Sequence, residues 1–594
     1  MTAVSDHASV SAAVPDDVAL TGAADAGAEL ERRLGDPWDA ANPYGFRALL
    51  QAEERSELLA PAEEVLTACG FGARLVPAAL GGRLTRADEL ARAVRPVFRR
   101  DLALGFGHGI TSLFAASAVW AAGSQAQRAH LAGLLCGGGR VAIVHHNLAH
   151  GSAVLRGELA ARPGRSGGYA LSGRKDMVIN AERADALVVY ARTADAPAPG
   201  RGSHSVLLVD PAGLPEGAVR ALPRKVTGGM RGCHFSGFDF DGCPVPDDAL
   251  VGAEGDGVRL ALRTFQLNRA LIPAAAIASV DTALRGAVRA QLGSGRADFG
   301  RHGPLLAGVF ADLLACDAFA SATLRSLHLL PDSAHLAAAA VKYLVPELLR
   351  DDVEALTTVL AADSTDAALP ITRALTAKLL RDLPAAGLGH AGTAACQAVI
   401  APQLPLLART SWFRAAEPPD AVLRPRGELP PLDLGALAVA GGDDFLAAAL
   451  NATAGRLRDR RDQGAYERTL AAYARGFTAE LWALHDRCAA LPAGARPDLS
   501  SPEWCALVDR YALLSAAGAV LALWERCRDD GTFTGDPAWV LLALSRLAGR
   551  LGLDLPEPPE GCVARVLAEV VARLHAGTGY DLHRTPLAEG EDLP

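Results

Sequence analysis

The hydrophobic pattern of this chain changes its period twice. From Asp36 to Gly138 apolar residues recur at helical spacing, as in Phe46, Leu49 and Leu50 and then Leu58 and Leu59, with glycine breaks at Gly70, Gly81-Gly82 and Gly137-Gly138-Gly139. Between Val141 and Leu250 the pattern becomes short runs such as Ala186–Tyr190 and Ser205–Val209, separated by Gly, Pro and Asp turns. After Gly257 helical spacing returns in long stretches, Leu260 to Leu292, Gly308 to Leu330 and Leu336 to Ala361. This order predicts an α+β, mainly α protein, with helices on both sides of one β block that is most simply an antiparallel barrel or sandwich.

The boundaries follow from the same reading. Residues 1–27, rich in Ala, Asp, Ser and Val with Pro15, read as a disordered tail; a targeting peptide would carry Arg and few acids. A helical domain is expected over 28–140, a β-barrel domain over 141–252 and a helical bundle over 253–415. A Pro-rich linker over 416–440, from Glu417-Pro418-Pro419 to Pro430-Pro431, then leads to a C-terminal helical extension over 441–594.

The net charge of −9 is spread without long blocks of one sign, which argues against nucleic acid and anionic lipid as partners. Ten cysteines with no Cys-x-x-Cys pair and no secretory signal point to a reduced, cytoplasmic compartment. The longest apolar run, Tyr511 to Trp524, is shorter than the 18 or so residues that cross a bilayer, so it reads as a buried helix and no membrane span is expected.

Several motifs, in order, resemble the acyl-CoA dehydrogenase family over about Asp36 to Gln397. They are Gly123–Arg128 leading through Leu131 and Leu135 into Val141–Val144, the hairpin Gly168–Lys175 with Asn180 and Ala184-Asp185, and Gly229-Met230-Arg231-Gly232 followed by Phe240-Asp241 and Val245-Pro246. Thr264-Phe265 with Arg269, then Arg296, Phe299 and Gly300, and Lys378–Asp382 complete the series. The final region resembles the extension of the long, very-long-chain type. The resemblance implies an acyl-CoA dehydrogenase-like fold, FAD as cofactor, an acyl thioester on CoA or a carrier protein as substrate, and a C2 homodimer, with an acyl carrier protein or electron-transfer protein as further partner.

It also implies roles for residues. The flavin-facing loop falls on His146–Ser152, where Gly151 and Ser152 match and His146 replaces a hydroxyl residue; Met177, Ile179 and Asn180 fall on the flavin-flanking hairpin. Arg296 and Phe299 would meet the partner subunit's FAD, and Thr393 would also lie at the cofactor, whereas Ala361-Ala362 stand where the family has two glycines. Asn268 and Arg269 would line the thioester end of the substrate pocket. The family's α-proton base is a Glu, yet the aligned loop Gly389-His390-Ala391-Gly392-Thr393 and the alternative position Asn268 hold no carboxylate.

His390 is thus the candidate catalytic base, its bland alternative being a hydrogen-bonded histidine in a Gly-rich turn. His145, His146 and His150 lack the spacing of a ligand set, so no metal is expected. Gly387–Gly392 matches a dinucleotide pattern but follows a charged helical segment instead of a strand. An isolated Lys such as Lys378 ordinarily belongs to a solvated helix face. Besides the dehydrogenase, the sequence leaves open a flavin-dependent oxygenase of the same fold and a flavin-free scaffold.

Overall fold

The computed structural model describes residues 23–146, 156–165, 167–196, 201–293, 299–361, 368–389, 392–460, 464–492 and 496–588. Its first helix, Ala23–Leu34, begins inside the stretch read as a tail. Further helices, among them Ala60–Ala68, Ala87–Arg100, Thr111–Ala122 and Gln125–Cys136, lead to the sheet. The last of these starts on a capping box, in which the Ser124 hydroxyl accepts from the Gln127 N–H and the Gln127 carboxamide accepts from the Ser124 N–H. The same carboxamide donates to the carbonyls of Asp248 and Leu250 at 2.8 and 3.1 Å. One side chain therefore fixes both the entry to the β domain and its exit.

The strands are β1 (Val141–Val144), β2 (Ala160–Pro163), β3 (Tyr169–Ile179), β4 (Ala186–Arg192), β5 (His204–Val209), β6 (Val219–Lys225), β7 (Phe235–Val245) and β8 (Leu250–Val251). They form one eight-stranded sheet in the order β6-β7-β3-β2-β4-β5-β8, with β1 on β4. The expectation of an antiparallel block needs correction, because the sheet is mixed: β1 and β2 both run parallel to β4. The long excursion through β2 and β3 between β1 and β4 is what permits a parallel pair, since two parallel strands cannot be joined by a tight turn.

Along β4, Leu187, Val189 and Ala191 face a core belonging to the sheet, shared with Leu171, Phe238 and Phe240. Val188 and Tyr190 face the opposite way, into the main helical core. Both faces of β4 are buried, which is why it reads as an unbroken apolar run instead of an alternating one.

The bundle consists of Gly257–Leu292, Gly303–Leu329, Ala334–Leu360 and Leu369–Asp382. It shares its core with the preceding helices, and polar groups lock the two together: Arg95 donates to the Ala274 carbonyl (3.0 Å), Ser279 to that of Phe98 (2.6 Å) and Thr282 to that of Arg99 (2.9 Å). By length and composition the Gly257–Leu292 and Pro502–Cys527 helices are apolar enough to cross a membrane, a property that counting an unbroken run missed. Their most apolar windows are 100% and 83% buried inside the protein.

The Pro-rich stretch is strapped to the bundle. Val422, Leu423, Leu434 and Leu437 are buried, Arg325 donates to the Ala421 carbonyl at 2.6 Å, and His328 bonds the Pro430 carbonyl at 2.7 Å. Five further helices, Phe445–Asp459, Ala465–Ala489, Pro502–Cys527, Pro537–Leu551 and Cys562–His575, make up the extension. Arg546 joins it to the bundle through Asp312 (2.6 Å) and Asp352 (3.1 Å).

Candidate functional site

Where the sheet meets the Gly257–Leu292 helix, four rings gather. His145, at the end of β1, lies 3.7 Å from His146 between ring centroids, 5.7 Å from Phe265 and 6.1 Å from Tyr190. The Tyr190 hydroxyl is buried with no hydrogen-bond partner among the described residues, and burial pushes that phenol up. Lys175 on β3 donates from Nζ to the His145 carbonyl at 3.0 Å; burial lowers this ammonium to about 8, against the charges of Asp176 and Glu158. Met177 and Ile179 flank Val178, which points into the β core, so by alternation they are turned the other way, and both are half-buried.

One turn beyond Thr264 lie Asn268 and Arg269, both buried. Neither amide atom of Asn268 has a hydrogen-bond partner among the described residues. Burial pushes the Cys396 thiol up while the Arg269 charge pulls it down, and the same charge reaches Lys342 and His335. No carboxylate pairs with it among the described residues. Lys342 is fully buried and donates from Nζ to the Ala386 carbonyl; burial pushes it down to about 7, opposed by Cys396 and assisted by Arg269. His335 bonds Gln403 at 2.7 Å, and burial lowers it as well. A guanidinium beside a lysine and a histidine, with no buried carboxylate paired to it among the described residues, makes an electropositive cluster in which the lysine favours its neutral form.

Of the residues expected at the site, Gly151, Ser152, Arg296, His390 and also Ala362 lie outside the described residues. Asn268 and Arg269 sit together on one helix, with His146, Met177 and Ile179 on the sheet side. Asn180 occupies the left-handed turn after β3, at φ 60°, and its amide donates to the Gly107 carbonyl. Thr393 donates to the Gly387 carbonyl at 3.3 Å. Phe299 is buried at φ 53°, next to Gly300 at φ 46°.

Lys378 is not on a solvated face. Its ammonium is buried against Asp101 (2.6 Å), Asp382 and, at 3.7 Å, Glu53, and these charges raise it above the ordinary lysine value although burial alone would lower it. Asp382 in turn accepts the Met230 N–H. The Gly229–Gly232 motif is explained by the same contact, because a Cβ on Gly229 would lie 1.8 Å from the Arg381 carbonyl oxygen. Sequence reasoning missed Lys342, His335 and Cys396. A lone Lys inside the apolar run Ala337–Val345 was the available signal for the first. No group of three or more His, Cys, Asp and Glu that would hold a metal occurs among the described residues.

No family model matches the chain. Over 137 residues, 23% of this chain and 34% of the relative, it is 33% identical to an acyl-CoA dehydrogenase of Bacillus subtilis (strain 168). The chain spans between a quarter and a half of the length of the curated relatives it matches. Among solved structures it is similar to an acyl-CoA dehydrogenase from Bacillus anthracis complexed with FAD, with TM-score 0.60 and 16% identity over 94% of this chain and 89% of that one. It is also similar to butyryl-CoA dehydrogenase from Megasphaera elsdenii, with TM-score 0.55 and 16% identity over 64% and 98%. The architecture of helical domain, mixed sheet and bundle is thus the acyl-CoA dehydrogenase fold. The chain has this fold and part of its sequence is similar to acyl-CoA dehydrogenases; beyond the bundle, five longer helices follow among the described residues.

Proposed function

We propose that this protein is an FAD-dependent oxidoreductase that desaturates an acyl thioester, on CoA or a carrier protein, with His390 in place of the usual carboxylate base. The observation that carries the reading is the Asn268–Arg269 corner, where, among the described residues, a buried amide has both atoms unpartnered and a buried guanidinium pairs with no acid. Buried polar groups of this kind are rarely left unsatisfied, and an acyl thioester supplies a carbonyl oxygen for them. The residues present suit a flavin: Met177 and Ile179 offer half-buried apolar surface on the strand face that the β core does not use, and Lys175 adds a cation nearby.

When bound, FAD supplies the acceptor for the hydride leaving Cβ. The chain's own part is to hold the thioester carbonyl at Asn268 and Arg269, to keep water out with the His145, Tyr190 and Phe265 rings, and to take the α-proton on an imidazole nitrogen of His390. We further propose a homodimer in which Arg296 serves the neighbouring subunit's FAD.

The lack of a carboxylate at 268, 390 and 391 also favours a second reading, an oxygenase of the same fold that draws its oxidant from flavin and oxygen and requires no α-proton base. The visible spectrum of the purified protein, followed by anaerobic addition of octanoyl-CoA, separates the cases. A flavin band that bleaches anaerobically, with enoyl product, supports the dehydrogenase. A band that bleaches only with a flavin reductase, and substrate conversion only in oxygen, assigns the oxygenase. A colourless protein that takes up no added FAD sinks both.

A further inference from the structure

On the extension, far in sequence from the Arg269 corner, the Phe445–Asp459 and Ala465–Ala489 helices form the walls of an open groove of about 620 Å³. Asn451, Gly455 and Arg458 recur at helical spacing on one wall, and Arg475, Thr478 and Trp482 on the other, with small residues such as Ala448, Ala452 and Ala479 leaving the room between them. Three features of this groove are costly unless something occupies it.

Trp482 is stacked by one face on Phe413, at 3.6 Å and 7°, yet remains 47% exposed within the groove. Phe413 adopts φ 64°, a left-handed conformation that a bulky residue seldom takes, to present its ring there. Both amide atoms of Asn451 and the hydroxyl of Thr478 are buried in the groove wall with no hydrogen-bond partner among the described residues.

The groove is also positive. Its one acid, Glu417, is consumed by Arg456 (2.7 Å) and Arg526 (2.6 Å). Arg458 bonds only the exposed Asp459, and Arg475 has no acid partner among the described residues.

We propose that this groove binds an adenine nucleotide. An indole stacked on Phe413, with His485 edge-on at 5.3 Å and 47% of its surface still exposed, offers aromatic surface to a purine, as aromatic side chains do to nucleic-acid bases. A carboxamide with a free donor and a free acceptor matches the paired N–H and ring nitrogen on the adenine edge. The Arg475 guanidinium, with no acid partner among the described residues, takes phosphate, and Arg458, paired only with the exposed Asp459, adds positive charge beside it. Trp482 and Arg475 are seven residues apart, about 10.5 Å along the helix, comparable to the distance from a purine to the phosphates of its nucleotide. The volume lies within the small-molecule range of roughly 300–1,000 Å³, whereas a face for a second copy of the chain would need about 800 Å² on each side.

The test uses the full-length protein, saturated with FAD and freed of excess, titrated with ADP by calorimetry and by tryptophan fluorescence. Saturable binding tighter than about 1 mM is expected, with quenching. Trp482→Ala and Arg475→Ala, both at exposed positions, should each weaken it by about tenfold or more while far-UV circular dichroism and the melting temperature stay unchanged, and adenosine should bind more weakly than ADP. Absence of saturable ADP binding to the wild type overturns the proposal. Binding that both variants leave untouched overturns it too, because the nucleotide would then lie elsewhere, and a change of oligomeric state in Trp482→Ala without ADP binding to the wild type would assign the groove to contact between copies.

Discussion

At the scale of single residues, Lys342 is the most consequential group around Arg269. Its pKa falls from 10.5 to about 7 on burial, so the folded state binds fewer protons than the unfolded state between those values. Its contribution therefore makes stability rise as pH rises, and the charged form is what the fold resists. Lys342→Met removes that resistance: its gain over wild type, measured from urea midpoints, should be larger at pH 6 than at pH 9 by about 2–3 kcal/mol. An equal effect at both pH values would mean that the ammonium is solvated or paired. The same corner supplies a test of the base. His390→Ala should lower turnover of an acyl thioester by about 10²–10⁴-fold. Adding Asn268→Glu, which places a carboxylate beside Arg269, should restore part of the loss; a double variant no better than the single one would argue that proton removal is not what position 390 contributes.

At the scale of elements, Glu63 on the Ala60–Ala68 helix ties the N-terminal helices to the β domain by accepting from Arg183 (2.9 and 3.1 Å), Arg140 (3.3 Å) and His108 (3.3 Å). Burial pushes its carboxyl up, but the His108 hydrogen bond and the Arg183 charge outweigh it and hold the pKa at about 2 instead of 4.5. This depressed carboxylate stabilises the fold above about pH 4.5, and the contribution is lost as pH falls from 4.5 towards 2. After allowance for solvent screening, Glu63→Gln should cost about 2 kcal/mol at pH 7 and almost nothing near pH 2; an effect independent of pH in denaturant melts would contradict the ion cluster. The periodicity made these elements legible, because helices and strands were delimited by local spacing and by glycine breaks. The parallel pairing of β1 with β4 was not, since no local signal says which distant strand an apolar run will join. Lys378 was misread for the same reason: its acids come from Glu53, Asp101 and Asp382, on three separate segments. Asn268 and Arg269 were singled out through motif order, and both lie buried on one helix. His335, Lys342 and Cys396 came to light only when three helices were brought together, and the role of Gly229 depends on the Arg381 backbone, far along the sequence.

For the whole molecule, the question is whether the extension is an appendage or part of one cooperative body. Asp312 and Asp352, on two different bundle helices, are buried carboxyl groups raised above their usual range, by burial first and, for Asp352, by the charge of Asp312, while Arg546 from the extension pulls both down. The bundle thus contains an acid pair whose neutralising cation is supplied by the extension. Carboxyl groups with raised pKa bind more protons folded than unfolded, so their contribution is most favourable below 3.8 and turns against the fold as pH rises. Arg546→Met removes the one cation that bonds both acids, drives both pKa values higher and leaves a buried charge that grows with pH. Because the Arg546 side chain is itself partly exposed, the expected loss is screened to about 1–3 kcal/mol at pH 8, and it is smaller at pH 5, because the raised acids carry less charge as pH falls. Urea midpoints at the two pH values decide it: a loss that is larger at pH 5, or a wild-type melt in which extension and bundle unfold in separate transitions, would show that the extension folds on its own account and that the acid pair does not depend on it.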